Sequence, residues 1–496
     1  MSSQNFLAID LGAESGRGVV GAFDGERVTL TEIGRFATGA AAITHPDGTV
    51  RWDIDGIFSE VAGLVDKARA GSDSPIIGGR GASLAGVGVD SWGVDFGLID
   101  KDNNLIAPPV CYRDRSHSEA RERMLARISA TEIWDATGIQ GMPFNTLYQV
   151  DAIASRAPEQ LAAADRLLLM PDLIANRLTR GTHRSVEMSN GSTTQMMRPG
   201  GAAWNVDFLT RAGLPSHFLG PTVASSTQIG TVDGTTIPIY APGTHDTASA
   251  VAAVPVAGNR SWAFLSSGTW SLLGCELRQP VLSHDAMRAG FSNEAGVDGT
   301  TRFLKNIMGL WLVQECRRHF GGSLSYQDLT QLASEARPTG LIDATDNRFL
   351  SPADMVAEIK RACVDTGQPS PDSEGEIVRC CLESLALAYR RSIRQLESLL
   401  GRKIEVLHVI GGGSNNAVLN QWTADACGIP VVAGPSEATG LGNILAQLIG
   451  AGLVTGWNEA RAISRASFAV REFTPDVDRH AAWAAREEIA VKDWER

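Results

Sequence analysis

The feature that most constrains the fold is the stretch 5–23, in which two apolar runs flank a short loop bracketed by glycines, NFLAIDLGAESGRGVVGAF. Two such runs predict a β-hairpin, and the glycines let backbone N–H groups point into the turn, as in phosphate-binding loops. Asp10 ends the first run, where a carboxylate could meet a Mg²⁺ ion carried by a nucleotide. Because glycine-rich hairpins also occur without a ligand, a nucleotide site would need a partner loop.

The same plan recurs at residues 261–277, where two apolar runs flank the turn Ser266-Ser267-Gly268-Thr269. A third glycine loop, Gly411 to Gly413, follows a predicted strand at 404–410 and precedes a predicted helix at 415–427. Glycine there would let a ligand approach the backbone closely. A chain of 496 residues is also too long for one ordinary core. We therefore predict an α/β protein with two related domains and a nucleotide in the cleft between them.

Composition narrows the possible functions. Hydrophobic residues make up 43% and charged residues 20%, and no apolar run of about 18 residues could span a bilayer. The opening MSSQNFLAIDLG lacks the basic start of a targeting peptide, which predicts a cytoplasmic protein. A net charge of −12 argues against nonspecific binding to nucleic acid. The seven cysteines lack C-x-x-C spacing and are predicted to be buried thiols, although Cys363 could meet Cys380 or Cys381.

The order of predicted elements places the domain boundary near residue 240, giving domains at 1–240 and 241–496. The elements that support this division are a strand at 27–36, a helix capped by Asp53, a buried strand at 84–90, a mainly helical region at 116–214, a strand at 237–240, a helix at 303–320, and a long helix that begins at the Ser373/Glu376 capping box and ends at Gly401.

Two familiar signatures of phosphate chemistry are absent or incomplete. No Gly-Lys pair occurs, which excludes a P-loop. The triplet Asp95-Phe96-Gly97 spells the magnesium motif of protein kinases, but no H-R-D loop precedes it, so we interpret it as a coincidence. Trp92, Tyr112 and Phe144 could line a sugar site or belong to the core.

The segment 241–250, APGTHDTASA, contains a candidate general base. Asp246 is predicted to open a helix, where the positive end of the helix dipole keeps a carboxylate ionised and able to accept a hydroxyl proton. A carboxylate at this position would serve equally well as a plain N-cap. From the spacing alone, both interpretations stay open.

Five motifs that occur in order along the chain resemble those of the FGGY family of carbohydrate kinases. They are the opening Asp10-Leu-Gly-Ala-Glu-Ser-Gly-Arg17, then Gly243-Thr-His-Asp-Thr-Ala-Ser-Ala250, Ser267-Gly-Thr-Trp-Ser271, Leu304-Lys-Asn-Ile-Met-Gly-Leu-Trp311 and Val409-Ile-Gly-Gly-Gly413. The resemblance extends over nearly the whole chain. It implies two ribonuclease-H-like domains of the actin-like ATPase type, which close over ATP.

The resemblance also implies roles for individual residues. The ATP phosphates and the rest of the nucleotide would be held by Ala13, Glu14, Ser15, Gly16, Arg17, Thr269, Gln314 and Gly412. The sugar would be bound by Gly93, His245, Asp246, Thr247 and Asn306, with Asp246 as the general base. Asp10 would hold Mg²⁺ through a water molecule. We expect the Glu14 side chain to point away from the phosphates.

Within the family, the form Ala13-Glu14-Ser15 is typical of members that phosphorylate the 1-hydroxyl of L-rhamnulose. The resemblance therefore implies an ATP- and Mg²⁺-dependent kinase of this ketose, acting in L-rhamnose catabolism. L-Fuculose and D-xylulose are alternative substrates, and a non-catalytic sugar sensor on the same fold is a further alternative. The expected partners are a small sugar and ATP, without nucleic acid or membrane, in a monomer or weak homo-oligomer.

Overall fold

A computed structural model describes residues 3–70, 84–350 and 352–494. Its strands are β1 (Gln4–Leu11), β2 (Gly16–Phe23), β3 (Val28–Phe36), β4 (Ala42–Thr44), β5 (Val50–Trp52), β6 (Leu84–Ser91), β7 (Phe96–Ile99), β8 (Arg166–Leu169), β9 (Val186–Glu187), β10 (Thr222–Val223), β11 (Gln228–Thr231), β12 (Pro238–Tyr240), β13 (Trp262–Ser267), β14 (Trp270–Leu277), β15 (Phe291–Ala295), β16 (Thr301–Met308), β17 (Val406–Ile410), β18 (Val431–Ala433) and β19 (Arg471–Phe473).

Its helices are α1 (Ile54–Ala70), α2 (Ser116–Leu125), α3 (Ala130–Thr137), α4 (Thr146–Arg156), α5 (Pro158–Ala163), α6 (Met170–Leu178), α7 (Met188–Gly191), α8 (Val206–Arg211), α9 (Asp246–Ala252), α10 (His284–Arg288), α11 (Trp311–His319), α12 (Tyr326–Glu335), α13 (Met355–Asp365), α14 (Glu374–Leu400), α15 (Ala417–Cys427), α16 (Ala438–Gly450), α17 (Trp457–Ser467) and α18 (Val477–Trp494). In the described ranges, no helix is both long enough and apolar enough to cross a membrane.

The chain packs as two units, each built from separate stretches. The first unit comprises Met1–Pro255, Glu276–Phe303 and Ala438–Ser467, and the second comprises Val256–Cys275, Leu304–Glu437 and Phe468–Arg496. The first unit therefore takes in segments from both sides of residue 240. The division into domains at 1–240 and 241–496 stays a prediction.

The first unit is organised around a six-stranded sheet in the order β11-β12-β6-β1-β2-β3. β1 lies at its centre because its apolar residues, from Phe6 to Ile9, are fully buried. Helix α1 packs its apolar stripe against this sheet, and Asp53 accepts a hydrogen bond from the N–H of Gly56 at the helix start, as predicted. β1 pairs antiparallel with β2 and parallel with β6, so polar residues at the ends of these strands become neighbours.

Helix α16 completes the first unit although it lies near the end of the chain. It packs against both α9 and β1. The close approach to α9 requires a glycine, because a Cβ at Gly442 would collide with the carbonyl oxygen of Ser249. Polar side chains of α16 reach into the sheet as well, and the Gln447 amide donates to the Leu7 carbonyl at 2.9 Å.

The second unit repeats the strand-turn-strand plan of the first. β13 pairs antiparallel with β14 and parallel with β17, and β18 and β19 extend the sheet beyond β17. The predicted hairpins at 5–23 and 261–277 are therefore both confirmed. The long helix α14 is confirmed too, with the Ser373/Glu376 capping box at its start and Gly401 in the left-handed conformation after its end.

The prediction of one helix over 303–320 is wrong. Residues Thr301–Met308 form strand β16, and the helix begins only at Trp311. The spacing of the apolar residues in this stretch suits a helix, but β16 emerges from a tight turn in which Asp298 and Gly299 have φ of 57° and 64°. That turn commits the chain to a hairpin with β15.

All seven cysteines are free. The Cys363 thiol of α13 contacts Cys380 on α14, whereas Cys381 contacts Cys316. The predicted meeting of Cys363 therefore takes place with Cys380.

Candidate active site

Asp10 and Arg17 form an ion pair at one edge of the first sheet. The two residues lie opposite each other in the β1–β2 pairing. The guanidinium donates from Nε at 2.9 Å and from Nη2 at 2.7 Å, and both bonds end on Asp10 Oδ2. The Arg17 side chain is 15% exposed and that of Asp10 is 10% exposed. The pair is therefore largely desolvated, which strengthens the interaction relative to a surface pair.

The predicted phosphate loop is a closed turn between β1 and β2. The Gly12 N–H donates to the Ser15 carbonyl at 3.0 Å, and Thr38 donates its hydroxyl to the Gly12 carbonyl. The Glu14 carboxylate accepts a hydrogen bond from Arg113 at 2.5 Å. An arginine outside the loop therefore engages this carboxylate, in keeping with the expectation that the Glu14 side chain turns away.

Asp90 is a buried carboxylate that the sequence analysis missed. It ends strand β6 directly beside Asp10 in the parallel pairing. Its Oδ2 accepts from the Asn443 amide at 2.6 Å, and its Oδ1 has no partner among the described residues. Burial, followed by repulsion from Asp10, raises the pKa of the Asp90 carboxyl well above its ordinary value. The sequence does contain a signal for this residue, because Asp90 follows an apolar run just as Asp10 does.

Asp246 is the first residue of helix α9, and His245 is the N-cap residue. The interpretation of Asp246 as a plain N-cap is therefore wrong. Its Oδ1 accepts from the backbone N–H of Thr247 at 2.6 Å and from the Thr247 hydroxyl at 3.1 Å. The side chain is 31% exposed. Burial raises the pKa of the Asp246 carboxyl, His245 opposes that shift, and the charge of Asp10 adds to it.

His245 lies between Asp246 and two charged residues that the sequence analysis also missed. Its Nε2 is 3.4 Å from Asp246 Oδ1. Its Nδ1 is 3.1 Å from Arg302 Nη2 and 3.2 Å from Glu294 Oε2. Glu294 and Arg302 belong to β15 and β16, and the Asp298-Gly299 pair between these strands is a hairpin signal that could have located them.

The backbone before Asp246 is fixed by a buried carboxylate, Glu187. Its Oε2 accepts from the Thr244 N–H at 3.0 Å, from the Thr244 hydroxyl at 2.9 Å and from the Ser189 N–H at 2.9 Å. The His245 N–H in turn donates to the Ser189 hydroxyl oxygen at 3.2 Å. Burial raises the pKa of the Glu187 carboxyl to about 7 despite these donors. These hydrogen bonds fix the backbone of the loop that carries His245 and Asp246.

Gly93 lies in a strained turn between β6 and β7. The next residue, Val94, has φ of 71°, an unfavourable conformation for a β-branched side chain. The turn is held by the Thr193 hydroxyl, which accepts from the Val94 N–H at 3.2 Å, and by the Thr146 hydroxyl, which donates to the Val94 carbonyl at 2.6 Å. Strain maintained by surrounding contacts is common at ligand sites.

Two indoles meet at a buried carboxylate beside this turn. Asp95 Oδ2 accepts from Trp52 Nε1 at 2.6 Å and from Trp92 Nε1 at 3.0 Å, and the two rings lie 4.6 Å apart. Burial raises the pKa of the Asp95 carboxyl to about 6. Trp92, one of the three aromatic residues considered for the sugar site, is thus a core residue that is 6% exposed and donates to Asp95. The other two, Tyr112 and Phe144, form an edge-to-face pair with ring centroids 6.1 Å apart.

In the second unit, the predicted nucleotide residues lie on segments that contact one another. The Thr269 carbonyl accepts from the N–H groups of Gly309 and Trp311, each at 3.1 Å, at the start of α11. Gln314 lies one turn along that helix. The glycine loop after β17 packs on Ser267, and a Cβ at Gly413 would collide with the Ser267 hydroxyl.

The remaining predicted residues divide between the units. Asn306 is half-buried on β16 in the second unit, whereas Gly93, His245 and Thr247 belong to the first. Among the residues that the structure describes, no group of three or more His, Cys, Asp or Glu side chains is arranged to hold a metal ion. A metal bound mainly by nucleotide phosphates would need fewer protein ligands.

The chain resembles known proteins over nearly its full length. Residues 5–251 match the N-terminal domain, and residues 263–451 the C-terminal domain, of the FGGY family of carbohydrate kinases. A rhamnulokinase of Bacteroides thetaiotaomicron is 41% identical, covering 97% of this chain and 98% of that protein. A rhamnulokinase of Klebsiella pneumoniae is 39% identical, covering 97% of each.

Two solved structures share the fold. The ligand-bound xylulose kinase of Lactobacillus acidophilus superposes with a TM-score of 0.79 at 13% identity, covering 99% of this chain and 97% of that one. The glycerol kinase of Plasmodium falciparum with ADP gives a TM-score of 0.79 at 16% identity, covering 99% and 98%. These likenesses confirm the predicted two-domain α/β fold of the actin-like ATPase type.

Proposed function

The chain belongs to the FGGY family of carbohydrate kinases, and on that premise we propose that it transfers the γ-phosphoryl group of ATP to the 1-hydroxyl of L-rhamnulose. The products are L-rhamnulose 1-phosphate and ADP. Membership in the family makes the protein a sugar kinase that uses ATP. The choice of sugar is supported by the rhamnulokinases that are 39% and 41% identical to this chain over nearly its full length.

The observation that carries the proposal is the environment of Asp246. Both hydrogen bonds from Thr247 end on its Oδ1, so the carboxylate is fixed in rotation while the side chain stays 31% exposed. Its other oxygen can then accept the proton of a sugar hydroxyl. Because the transferred phosphoryl group passes through a loose transition state, the base is needed mainly to orient the hydroxyl and to accept its proton late. General base catalysis of this kind contributes about 10²–10⁴-fold in rate.

The ATP phosphates are assigned to the turn from Ala13 to Arg17, and the rest of the nucleotide to Thr269, Gln314 and Gly412. The closed turn at Gly12 and the engagement of the Glu14 carboxylate by Arg113 support the first assignment, since they leave the loop backbone to face an anion. The mutual contacts of the three segments in the second unit support the other.

Mg²⁺ is assigned to Asp10, through a water molecule. The carboxylate oxygens of Asp10 and Asp90 at this edge of the sheet are ligands that suit the ion, and Asp90 Oδ1 has no hydrogen-bond partner among the described residues. When bound with ATP, Mg²⁺ would neutralise charge that develops on the phosphate oxygens. The Nε and Nη2 bonds of Arg17 both end on Asp10 Oδ2, so neither of these bonds blocks a role for Oδ1.

The sugar is assigned to Gly93, His245, Asp246, Thr247 and Asn306. The turn at Gly93 is braced by Thr193 and Thr146, and the loop before Asp246 is braced by Glu187, so both present fixed surfaces to a ligand. Rigid placement of the reacting groups is what phosphoryl transfer requires. A cytoplasmic location and a monomer or weak homo-oligomer stay predictions.

The test is a coupled ADP-release assay with Mg²⁺-ATP against L-rhamnulose, L-fuculose and D-xylulose. We expect the highest kcat/KM for L-rhamnulose. A higher kcat/KM for another ketose would support the proposed kinase activity but identify that ketose as the substrate, because one or two pocket residues can redirect specificity. No turnover with any sugar would contradict the proposed reaction and favour a sugar sensor.

A further inference from the structure

We propose that Glu294 and Arg302 are positioning residues that hold His245 as its Nε2-protonated tautomer and direct that N–H at the Asp246 carboxylate. The placement of the tautomer stands on geometry alone, whereas its value for catalysis rests on the proposed role of Asp246 as general base.

A tight hairpin brings the two positioning residues together. The N–H of Gly296 donates to the Thr300 carbonyl at 2.7 Å, which closes the turn between β15 and β16. Glu294 and Arg302 then stand beside each other on the two strands, with Arg302 Nη2 3.0 Å from Glu294 Oε2. The guanidinium is anchored a second time, because its Nε donates to the Ala295 carbonyl at 3.0 Å.

The chemistry of arginine decides the tautomer. A guanidinium has five N–H donors and no acceptor. Its Nη2 makes a hydrogen bond of 3.1 Å with His245 Nδ1, so Nδ1 must be the acceptor and carry no proton. The imidazole proton then lies on Nε2, which is 3.4 Å from Asp246 Oδ1.

The alternative tautomer would place a proton on Nδ1 and donate it to Glu294 Oε2, which is 3.2 Å away. That N–H would then face the Arg302 Nη2 donor at 3.1 Å, leaving two donors opposed. In the observed geometry Glu294 Oε2 makes no hydrogen bond of its own, so its contacts with His245 and Arg302 are charge contacts. The geometry therefore favours Arg302 as the direct partner of His245, with Glu294 balancing the guanidinium charge.

Stability does not explain this pair. Arg302 is fully buried and its Nη1 has no hydrogen-bond partner among the described residues. Burying two charges costs several kcal/mol per ion, and replacing a buried ion pair by well-packed apolar side chains is often neutral or stabilising. An incompletely satisfied arginine in the core calls for another reason. Its contact with the N-cap residue of the helix that carries Asp246 supplies one.

The consequence for the site is a proton on Nε2, 3.4 Å from Asp246 Oδ1, which is a charge contact with the carboxylate and not a hydrogen bond. Thr247 already donates twice to Oδ1. The Nε2–H dipole on this side stabilises the negative charge of Oδ1, and Oδ2 is left for the sugar hydroxyl. A His245 without its Arg302 partner could rotate or change tautomer, and the carboxylate would lose this stabilisation.

The tautomer can be read directly by ¹⁵N NMR of the full-length protein labelled at histidine nitrogens, without substrate. The His245 signals among those of nine histidines are assigned by their loss in His245→Gln. We expect Nδ1 to be unprotonated and Nε2 to carry the proton. A protonated Nδ1 in the natural protein would overturn the proposal, and this measurement needs no variant that removes the ion pair.

The second arm uses the double variant Arg302→Met/Glu294→Gln, which removes both charges together. Its matched control is Arg390→Met/Glu487→Gln in the second unit, where a pair of similar burial, 1% and 12% exposed against 0% and 9%, does not contact His245. We expect the first variant to lose the Nε2-protonated form as the dominant tautomer, whereas the control keeps it.

Kinetics separate positioning from folding. We expect kcat of the Arg302/Glu294 variant to fall by about 10–100-fold, as when the outer partners of site ligands are removed, with little change in KM for ATP. An unchanged tautomer together with unchanged kcat would overturn the proposal. If the natural protein phosphorylates none of the ketoses, the proposed function fails, but the NMR result still tests the tautomer.

Discussion

Arg17 places both Nε and Nη2 on a single oxygen of Asp10, at 2.9 Å and 2.7 Å, across the pairing of β1 and β2. The other oxygen of Asp10 receives neither bond. A carboxylate held in this way can offer Oδ1 to a ligand. The guanidinium lies beside the turn between β1 and β2, to which the phosphates are assigned. Arg17 is thus placed to neutralise Asp10 beside the loop assigned to the ATP phosphates.

The first prediction concerns this pair. Arg17→Met should lower kcat/KM for Mg²⁺-ATP by about 10²–10³-fold, the usual cost of losing one donor to developing charge. Because the pair is largely buried, thermal unfolding of each variant is measured in parallel, so that a loss of stability is distinguished from a loss of ATP use. Arg69→Met, which removes a surface pair with Asp66 on α1, is the control and should leave the steady-state constants unchanged. Equal kinetics of the two variants would contradict the role of Arg17.

The second prediction concerns Asp246. Asp246→Asn keeps the shape of the side chain but cannot accept a proton, so kcat should fall by about 10²–10⁴-fold. The Kd for ATP, measured by calorimetry without sugar, should change by less than about twofold, because the substitution alters an interaction of the transition state and not the binding of ATP in the ground state. Asp207→Asn, at an exposed carboxylate on α8, serves as control. Turnover near that of the natural protein would rule out Asp246 as the base.

The third prediction concerns pH and stability. Burial raises the pKa of Glu187 from 4.5 to about 7, so the folded protein binds a proton there that the unfolded chain has already released. Stability from this group is therefore greatest at low pH and falls as pH rises from 4.5 towards 7. At about 1.4 kcal/mol for each pKa unit, the change is about 3 kcal/mol.

Glu187→Gln tests this dependence, because the amide stays neutral at every pH. Urea unfolding at intervals between pH 4.5 and 7.5 should show that the natural protein loses stability relative to this variant as pH rises. The exposed Glu60→Gln on α1 should follow the natural protein throughout. A constant difference between the natural protein and Glu187→Gln would show that the pKa of Glu187 is not raised.

The fourth prediction compares two glycines of α16. Gly442→Ala should destabilise the protein by about 1–3 kcal/mol or more and reduce kcat, since the new methyl group would push against Ser249 on the helix that carries Asp246. Gly440→Ala on the same helix meets only ordinary contacts, 3.6 Å or more from Val19, and should be neutral or stabilising. Thermal unfolding and kcat measured in parallel distinguish them, and equal effects would contradict the tight α9–α16 contact.

The sequence predicted the parts of this fold that are encoded locally. The hairpin at 5–23, the hairpin at 261–277 and the capping box of α14 each depend on residues within a short stretch. The error at 303–320 has the opposite origin, because apolar spacing in that stretch fits a helix while the preceding Asp298-Gly299 turn imposes a strand. Turn chemistry outweighed periodicity there.

The partners of the site residues could not be predicted in the same way. Asp246 was identified from its own segment, but Arg302 meets His245 across 57 residues of sequence and Asn443 meets Asp90 across 353. Neither partner lies in a motif. Such contacts depend on how β15, β16 and α16 pack, and a single sequence carries no local trace of that packing.

The position of α16 has a consequence for the order in which the chain folds during its synthesis. Gln447 donates to the Leu7 carbonyl over a separation of 440 residues, so β1 leaves the ribosome long before the side chain that bonds to it has been synthesised. Contacts between residues so far apart in the sequence slow folding, and apolar surface that is exposed before such contacts form is prone to aggregate. The sheet that contains β1 therefore lacks its contacts with α16 until residues 438–450 have been synthesised.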